Sequence, residues 1–288
     1  MTLQLTGIRR YPVKSCAGFD LDRAVVERCG LADDRRWMVV DESNFVVTAR
    51  EHPQMLLITP ELTEAGLRLS TPSQPDLLVS TPDGSQLEEV TVWRSTVAAS
   101  PAGGAADAWL SAVIGKSVRL VHLDDTDRRS PNPEFASTDD RVSFADGYPV
   151  LLVTEESWEA VNGWIAEGPR AEEGPLPIIR FRPNLIVKGA AAPWLEDGWR
   201  ALRIGDALFR AVKGCDRCVL TTIDPVTIAK GKEPIATLAR HRKWDGKTWF
   251  GMNLIPDNPG VTIHVGDEVE ILAEVPAPDG PPRSTELV

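Results

Sequence analysis

Cys215 and Cys218 stand at C-x-x-C spacing in K-G-C-D-R-C-V-L-T-T-I-D-P, a run that begins at Lys213. The V-L-T-T after Cys218 favours a strand, and Asp224-Pro225 breaks it. The order predicts a thiol held at a strand's mouth and open to a ligand. Arg217 and Lys213 lie beside the pair in sequence. Positive charge favours the ionised thiol and lowers its pKa, and a thiolate is what soft metals bind. Three readings compete with metal or cofactor ligation: two buried thiols, a redox dithiol, or half of a zinc site. A thioredoxin-like dithiol opens a helix, whereas V-L-T-T is β-prone. A closed zinc centre needs four ligands. Cys16 and Cys29 are thirteen residues apart, and His52, His122, His241 and His264 are scattered.

A second set of chemical groups gathers where strands are expected to end. Y-P-V-K-S puts Lys14 and Ser15 after the first strand, and D-D-R-R-W puts Arg35 and Arg36 at the start of another. F-R-P-N puts Arg182 before a proline that holds it extended, with Asn184 close behind. Arginine binds oxyanions bidentately and lysine adds a point charge, so such groups can cradle a phosphate. The bland reading is a set of solvated surface charges. G-x-G-x-x-G, P-loop and G-x-S-x-G motifs are absent, which removes the usual signals of dehydrogenases, kinases and serine hydrolases.

Composition bounds these readings. The net charge of −11 argues against a nucleic-acid partner, because phosphate backbones need basic faces. No apolar run approaches the roughly 20 residues of a membrane span. The first residues alternate like a strand and lack the basic start and apolar block of a signal peptide. Four cysteines in 288 residues make no disulfide framework, so a cytoplasmic address is expected. With 42% apolar residues, the chain can bury one large core or two modest ones.

The elements that must position these groups are mostly short strands: 3–13, 24–27, 36–40, 45–48, 55–58, 67–69, 77–79 and 89–93, separated by clusters such as T-P-D-G. That spacing suggests a small barrel or sandwich. Ala105, Ala108, Trp109, Ala112 and Val113 fall at helical spacing, with Gly115 as the stop. The polar stretch 123–140 reads as a long loop or junction. Strand 150–153 then leads to Thr154 as the N-cap of a helix striped by Trp158, Val161 and Ile165. Further strands are expected over 185–187, 207–212, 219–223, 248–250 and 268–272. The nine tryptophans are read as packing. The fold class is therefore mixed, mainly β with a few helices (α+β).

Six ordered segments resemble one family over nearly the whole chain: Y-P-V-K-S-C-A-G, G-L-A-D-D-R-R-W-M-V, V-T-A-R, F-R-P-N-L-I-V, R-C-V-L-T-T-I-D-P and D-N-P-G-V-T-I-H-V-G-D. The chain resembles a MOSC-domain protein with the MOSC N-terminal β-barrel, similar to mitochondrial amidoxime-reducing components and their bacterial counterparts. The resemblance implies a barrel-like domain over 1–122, a MOSC β-barrel domain over 123–275 and a disordered tail over 276–288. It implies a molybdenum cofactor, a pyranopterin with a dithiolene on the metal, completed by the thiolate of Cys218. Lys14, Ser15, Arg35, Arg182 and Asn184 match positions that hold the pterin and its phosphate. Asp146, Gly147, Asp216 and Arg217 match positions lining the same cavity, with Asp216 beside the chemistry.

The implied reaction reduces N-hydroxylated compounds, amidoximes and hydroxylamines, by oxygen abstraction at molybdenum. The alternatives are a non-catalytic carrier of the cofactor or of sulfur, and a zinc or structural module. Electrons would come from a separate ferredoxin- or cytochrome-type protein with its reductase. The chain has no cysteine after Cys218, which leaves no cluster motif of its own. One departure is Ile228, where the family usually has glycine, and a different turn is expected there.

Overall fold

The computed structural model describes residues 2–276 and 280–283. Its centre is a closed barrel of seven strands. In spatial order these are Val150–Thr154, Leu185–Lys188, Leu3–Arg10, Glu268–Glu274, Trp199–Ile204, Ala207–Asp216 and Lys247–Pro256, the last returning to the first. All neighbours are antiparallel except Val150–Thr154 with Leu185–Lys188. Parallel strands need a crossover, and the helix Glu155–Ala166 lies between them in the chain. The Thr154 hydroxyl accepts from the Ser157 N–H at 3.3 Å, and Glu155 and Glu156 occupy the first turn, as the capping signal predicts. Leu5, Ile8, Leu152, Val187, Leu202, Phe209 and Leu254 share the barrel's principal core.

Most of the first half forms smaller sheets. One runs Trp37–Asp41, Val118–His122, Ser95–Pro101, Glu88–Val92, and a meander runs Thr59–Thr63, Gly66–Thr71, Gln74–Ser80. The helix Gly104–Ile114 buries Trp109, Leu110 and Ile114 with Trp37, Val39 and Leu120, and stops at Gly115 in the left-handed region. The mainly β, α+β expectation stands. The sheets do not divide at residue 122, however. Leu3–Arg10 belongs to the seven-strand barrel, and Thr262–His264 pairs back onto Arg23–Glu27.

Several local expectations fail. Met55 and Leu56 lie in a 3-10 helix, Pro53–Leu57, where Pro53 opens the turn. Residues 45–48 make only isolated bridges, at Phe45 and Val46. V-L-T-T is a 3-10 helix, Val219–Thr222, because Thr221 and Ile223 bond back to the carbonyls of Cys218 and Leu220. Strands Ser95–Pro101, Val118–His122 and Trp199–Ile204 and the helix Ile235–His241 were not expected. Of the tail, 277–279 and 284–288 lie outside the described residues. Gly280, Pro281 and Pro282 are buried, and the Gly214 N–H donates to the Pro282 carbonyl at 3.0 Å, so this part of the expected disordered segment is packed.

Candidate functional site

A single cleft is lined by Lys14, Ser15, Arg35, Asp146, Gly147, Arg182, Asn184, Asp216, Arg217 and Cys218. All ten residues expected at the site therefore meet, although they are scattered along the chain. Chain geometry explains the convergence. Lys14 and Ser15 follow the first barrel strand, Arg182 and Asn184 precede Leu185–Lys188, and Asp216 ends Ala207–Asp216. Ser15, Arg35 and Arg182 all have left-handed φ, 68°, 51° and 54°, so the extended conformation expected of Arg182 before Pro183 is not found. Such left-handed conformations are unfavourable for residues with a Cβ and persist only where the surroundings enforce them.

Hydrogen bonds supply that enforcement. Tyr11 N–H donates to the buried carboxylate of Asp34 at 2.8 Å, and Asp34 pairs with Arg35. Arg35 also donates to Asn184 Oδ1 at 2.9 Å, while Asn184 Nδ2 donates to the Arg9 carbonyl at 3.1 Å. Arg182 Nη1 donates to the Cys16 carbonyl at 2.8 Å. Both guanidiniums lie against the Tyr11 ring, 4.6 Å from its centre for Arg35 and 4.2 Å for Arg182. Burial and the neighbouring Arg35 lower the Arg182 pKa. Arg36, the other half of the R-R pair, turns away to the carbonyls of Leu123 and Asp124.

Lys14 is 5% exposed. Its ammonium donates to the Phe144 carbonyl at 2.7 Å and to Asp146. Burial pulls its pKa down to about 8, with Asp146 opposing. Burial alone would raise the Asp146 carboxyl, but Lys14 and Arg50 hold it well below the usual carboxylate range. Arg50 Nη2 and Trp93 Nε1 reach Asp146 at 2.9 and 3.1 Å. Thus Arg50 and Trp93 join the site, as does Arg180, which pairs with Asp224 at 2.9 Å. Sequence reasoning missed Arg180 and Trp93 and assigned Arg50 no role. Arg180 sits two residues before Arg182 and Arg50 ends the V-T-A-R segment, while Trp93 carried no distinguishing signal among nine tryptophans.

The thiols differ in their surroundings. Cys218 precedes the 3-10 helix, and its carbonyl accepts from the Thr221 N–H and hydroxyl at 3.1 and 3.0 Å. The expectation of a lowered thiol pKa through Arg217 and Lys213 meets a different arrangement. Arg217 Nη1 donates to Cys215 Sγ at 2.9 Å, yet burial outweighs it and raises the Cys215 pKa. Lys213 lies instead over the rings of Phe135 and Trp249, at 5.6 and 5.5 Å. Asp216 is half-exposed, 3.3 Å from Lys247 and 3.9 Å from Lys213. Ile228 takes φ 55° and its N–H bonds the Asp224 carbonyl at 2.9 Å, so the turn adopts a glycine-like conformation around a β-branched residue.

The donor set describes a ligand. Lys14, Arg35, Arg50, Arg180, Arg182 and Arg217 line the cleft against the carboxylates of Asp146 and Asp216, in a protein of net charge −11. Arg180 Nε, Arg182 Nη2 and Arg217 Nε are buried without a hydrogen-bond partner. Buried donors are costly unless satisfied, and an anion in the cleft would satisfy them. Among the described residues no three His, Cys, Asp or Glu side chains converge as a metal cage. The residues therefore fit an anionic group held chiefly by cationic side chains, with Cys218 on the cleft wall.

The barrel, the cationic cleft and the cysteine at its wall define a class that the comparisons identify. The MOSC N-terminal beta barrel domain matches residues 2–117 and the MOSC domain matches residues 139–270. The chain belongs to the MOSC-domain family, with the N-terminal barrel domain preceding the MOSC domain. It is 33% identical to mitochondrial amidoxime-reducing component 1 of Mus musculus, over 92% of this chain and 81% of that protein. The Homo sapiens protein of the same name is 32% identical over the same shares. Molybdenum cofactor sulfurase of Oryza sativa subsp. japonica is 32% identical over 88% of this chain, which spans 32% of that longer protein. Among the described residues no helix is long and apolar enough to cross a membrane.

Proposed function

We propose that the chain holds a molybdenum–pyranopterin cofactor in this cleft and reduces N-hydroxylated compounds, amidoximes and hydroxylamines, with electrons from a separate protein. The observation that carries the reading is the set of unpartnered buried guanidinium N–H groups of Arg180, Arg182 and Arg217 beside Cys218. The relatives' names support the same reading. Lys14 and Arg182 would hold the phosphate, and Arg35 and Asn184, locked to each other, would hold the pterin edge. Cys218 would supply the protein thiolate, with Gly147 leaving space beside it where a Cβ would meet nothing within 4 Å. When bound, the cofactor supplies the two-electron removal of oxygen from an N–OH group. Asp216, at the solvent-facing end of its strand, would be the cleft carboxylate placed to exchange protons with water.

The decisive measurement is molybdenum and pterin content per chain in protein from a cofactor-competent host, followed by viologen-driven turnover of benzamidoxime. Stoichiometric metal with turnover supports the reductase. Stoichiometric metal without turnover would instead support the non-catalytic carrier, and metal-free protein from such a host would overturn both.

A further inference from the structure

A row of rings leads from the protein surface to the cleft wall. His241, exposed at the end of the helix Ile235–His241, stacks on Trp164 at 4.3 Å with 13° between planes. Trp164 stacks on Trp194 at 5.1 Å and 10°. Trp194 meets Phe250 edge-on at 6.1 Å, and Phe250 lies 4.0 Å from Phe181. Phe181 lines the cleft, and its carbonyl accepts from Arg217 at 2.6 Å. The row is held in place. Arg242 is buried, pairs with Asp197 at 2.7 Å and lies 4.2 Å over the Trp194 ring.

The outer end of the row is basic. Arg240, His241 and Lys243 are exposed, and none has an acidic partner among the described residues. Arg240 Nη1 comes within 3.4 Å of the Cβ position at Gly168, so it reaches over the carboxyl end of the Trp164 helix. A helix carboxyl terminus favours Arg240 and His241 on the last turn. That effect does not account for Lys243 beyond the turn, nor for two stacked tryptophans left half-buried beside it. On a protein of net charge −11, the unpaired cations Arg240 and Lys243, on either side of His241, form a local patch complementary to an acidic partner.

We propose that Arg240, His241 and Lys243 form the docking face for an acidic one-electron carrier protein, and that the ring row from His241 to Phe181 is the route by which its electrons reach the cleft. The proposal rests on the reductase reading above. Converting N–OH to N–H and water consumes two electrons and two protons. Each reduced carrier is oxidised by one electron per encounter, so two encounters supply the pair, and water supplies the protons. Rings in van der Waals contact shorten each electron step, and the steric fit of stacked pairs fixes their spacing.

The test uses the full chain and an acidic [2Fe–2S] ferredoxin as the probe, with affinity measured by calorimetry at low and high salt. Wild type is expected to bind, more weakly as salt rises. The Arg240→Glu/Lys243→Glu variant, confined to exposed side chains, is expected to bind at least about tenfold more weakly, as reversal of rim charges does. Trp164→Leu should bind as wild type does and retain dye-driven turnover, but take electrons from the carrier more slowly. Ferredoxin affinity indifferent to the double reversal, or no ferredoxin binding at all, overturns the docking face. So does reversal-sensitive binding of phosphatidylserine vesicles or duplex DNA in ferredoxin's place. Unchanged carrier-driven rates in Trp164→Leu overturn the ring route. Loss of dye-driven turnover in wild type would strike the reductase reading instead, leaving the binding result to judge the face on its own.

Discussion

Lys14 makes anion binding in the cleft titrate near pH 8. Its ammonium is brought from 10.5 to about 8 by burial, against the pull of Asp146. At about 1.4 kcal/mol per tenfold, holding that charge in the empty cleft costs roughly 3 kcal/mol. An anion paired with Lys14 favours the charged form and raises its pKa again. Below pH 8, Lys14 is protonated both free and bound, and affinity is flat. Above pH 8 the free protein must take up a proton to bind, so affinity falls about tenfold per pH unit until the bound-state pKa is reached. Between pH 7 and 9.5, sulfate, whose own charge is constant over that range, should lose about thirtyfold in affinity. Trp93 reports the event, because Lys14 Nζ and the Arg50 guanidinium lie 5.5 and 4.4 Å from its ring. A fluorescence titration of cofactor-free protein with sulfate at several pH values measures it. Lys14→Gln should bind sulfate more weakly at pH 7 and show no decline with pH. A flat wild-type profile, or an equal decline in Lys14→Gln, would refute the assignment of the proton to Lys14.

Cys218→Ala should abolish molybdenum retention with the fold intact, while Cys215→Ala keeps most of the metal, as metal analysis of the two purified variants will show. Arg182→Met removes a cleft-lining guanidinium that carries one buried, unpartnered nitrogen. It should weaken sulfate binding by about 1.5–3 kcal/mol, the scale of a charged hydrogen bond, read in the same titration. Burial, then Asp197, pushes the buried Glu196 carboxyl up to about 7. Its folded pKa exceeds its unfolded value, so the stability it contributes is full below pH 4.5 and is lost as pH rises through 7. Glu196→Gln should therefore raise stability at pH 8 by up to about 3 kcal/mol, with no gain at pH 4, measured by urea unfolding.

Which residues share the cleft was more legible in the sequence than what shapes carry them. Lys14, Arg35, Arg182 and Cys218 were legible because they follow or precede strand-like runs in motifs that share one ligand chemistry. Their convergence was not legible, since it depends on a barrel that closes between distant segments. Helices with capping and stop signals, at Thr154 and Gly115, were readable because those signals act within a few residues. V-L-T-T was misread because β propensity describes packing on a pleated surface. There the Thr221 hydroxyl instead bonds the Cys218 carbonyl and tightens a turn. The effect of Arg217 was misjudged too: neighbours in sequence do not say which sulfur a guanidinium reaches, nor how much water burial removes.

The pairing of Leu3–Arg10 ties distant segments of the chain together in time. Leu3 pairs with Val269, and Leu5 with Val187. During vectorial synthesis on the ribosome, residues 3–10 can pair early with Phe19–Leu21, but they lack their barrel neighbours until Leu185–Lys188 and then Glu268–Glu274 leave the exit tunnel. Pairings of such long range are entropically late and slow. The cleft, whose Lys14 and Ser15 hang from the end of that strand, can form only after those later strands have emerged. A chain halted or clipped before Glu268 would leave the barrel with an open edge, a template for aggregation. Ligand binding in the cleft is thereby confined to chains whose barrel has closed, and the waiting strand is the segment a chaperone would have to shield.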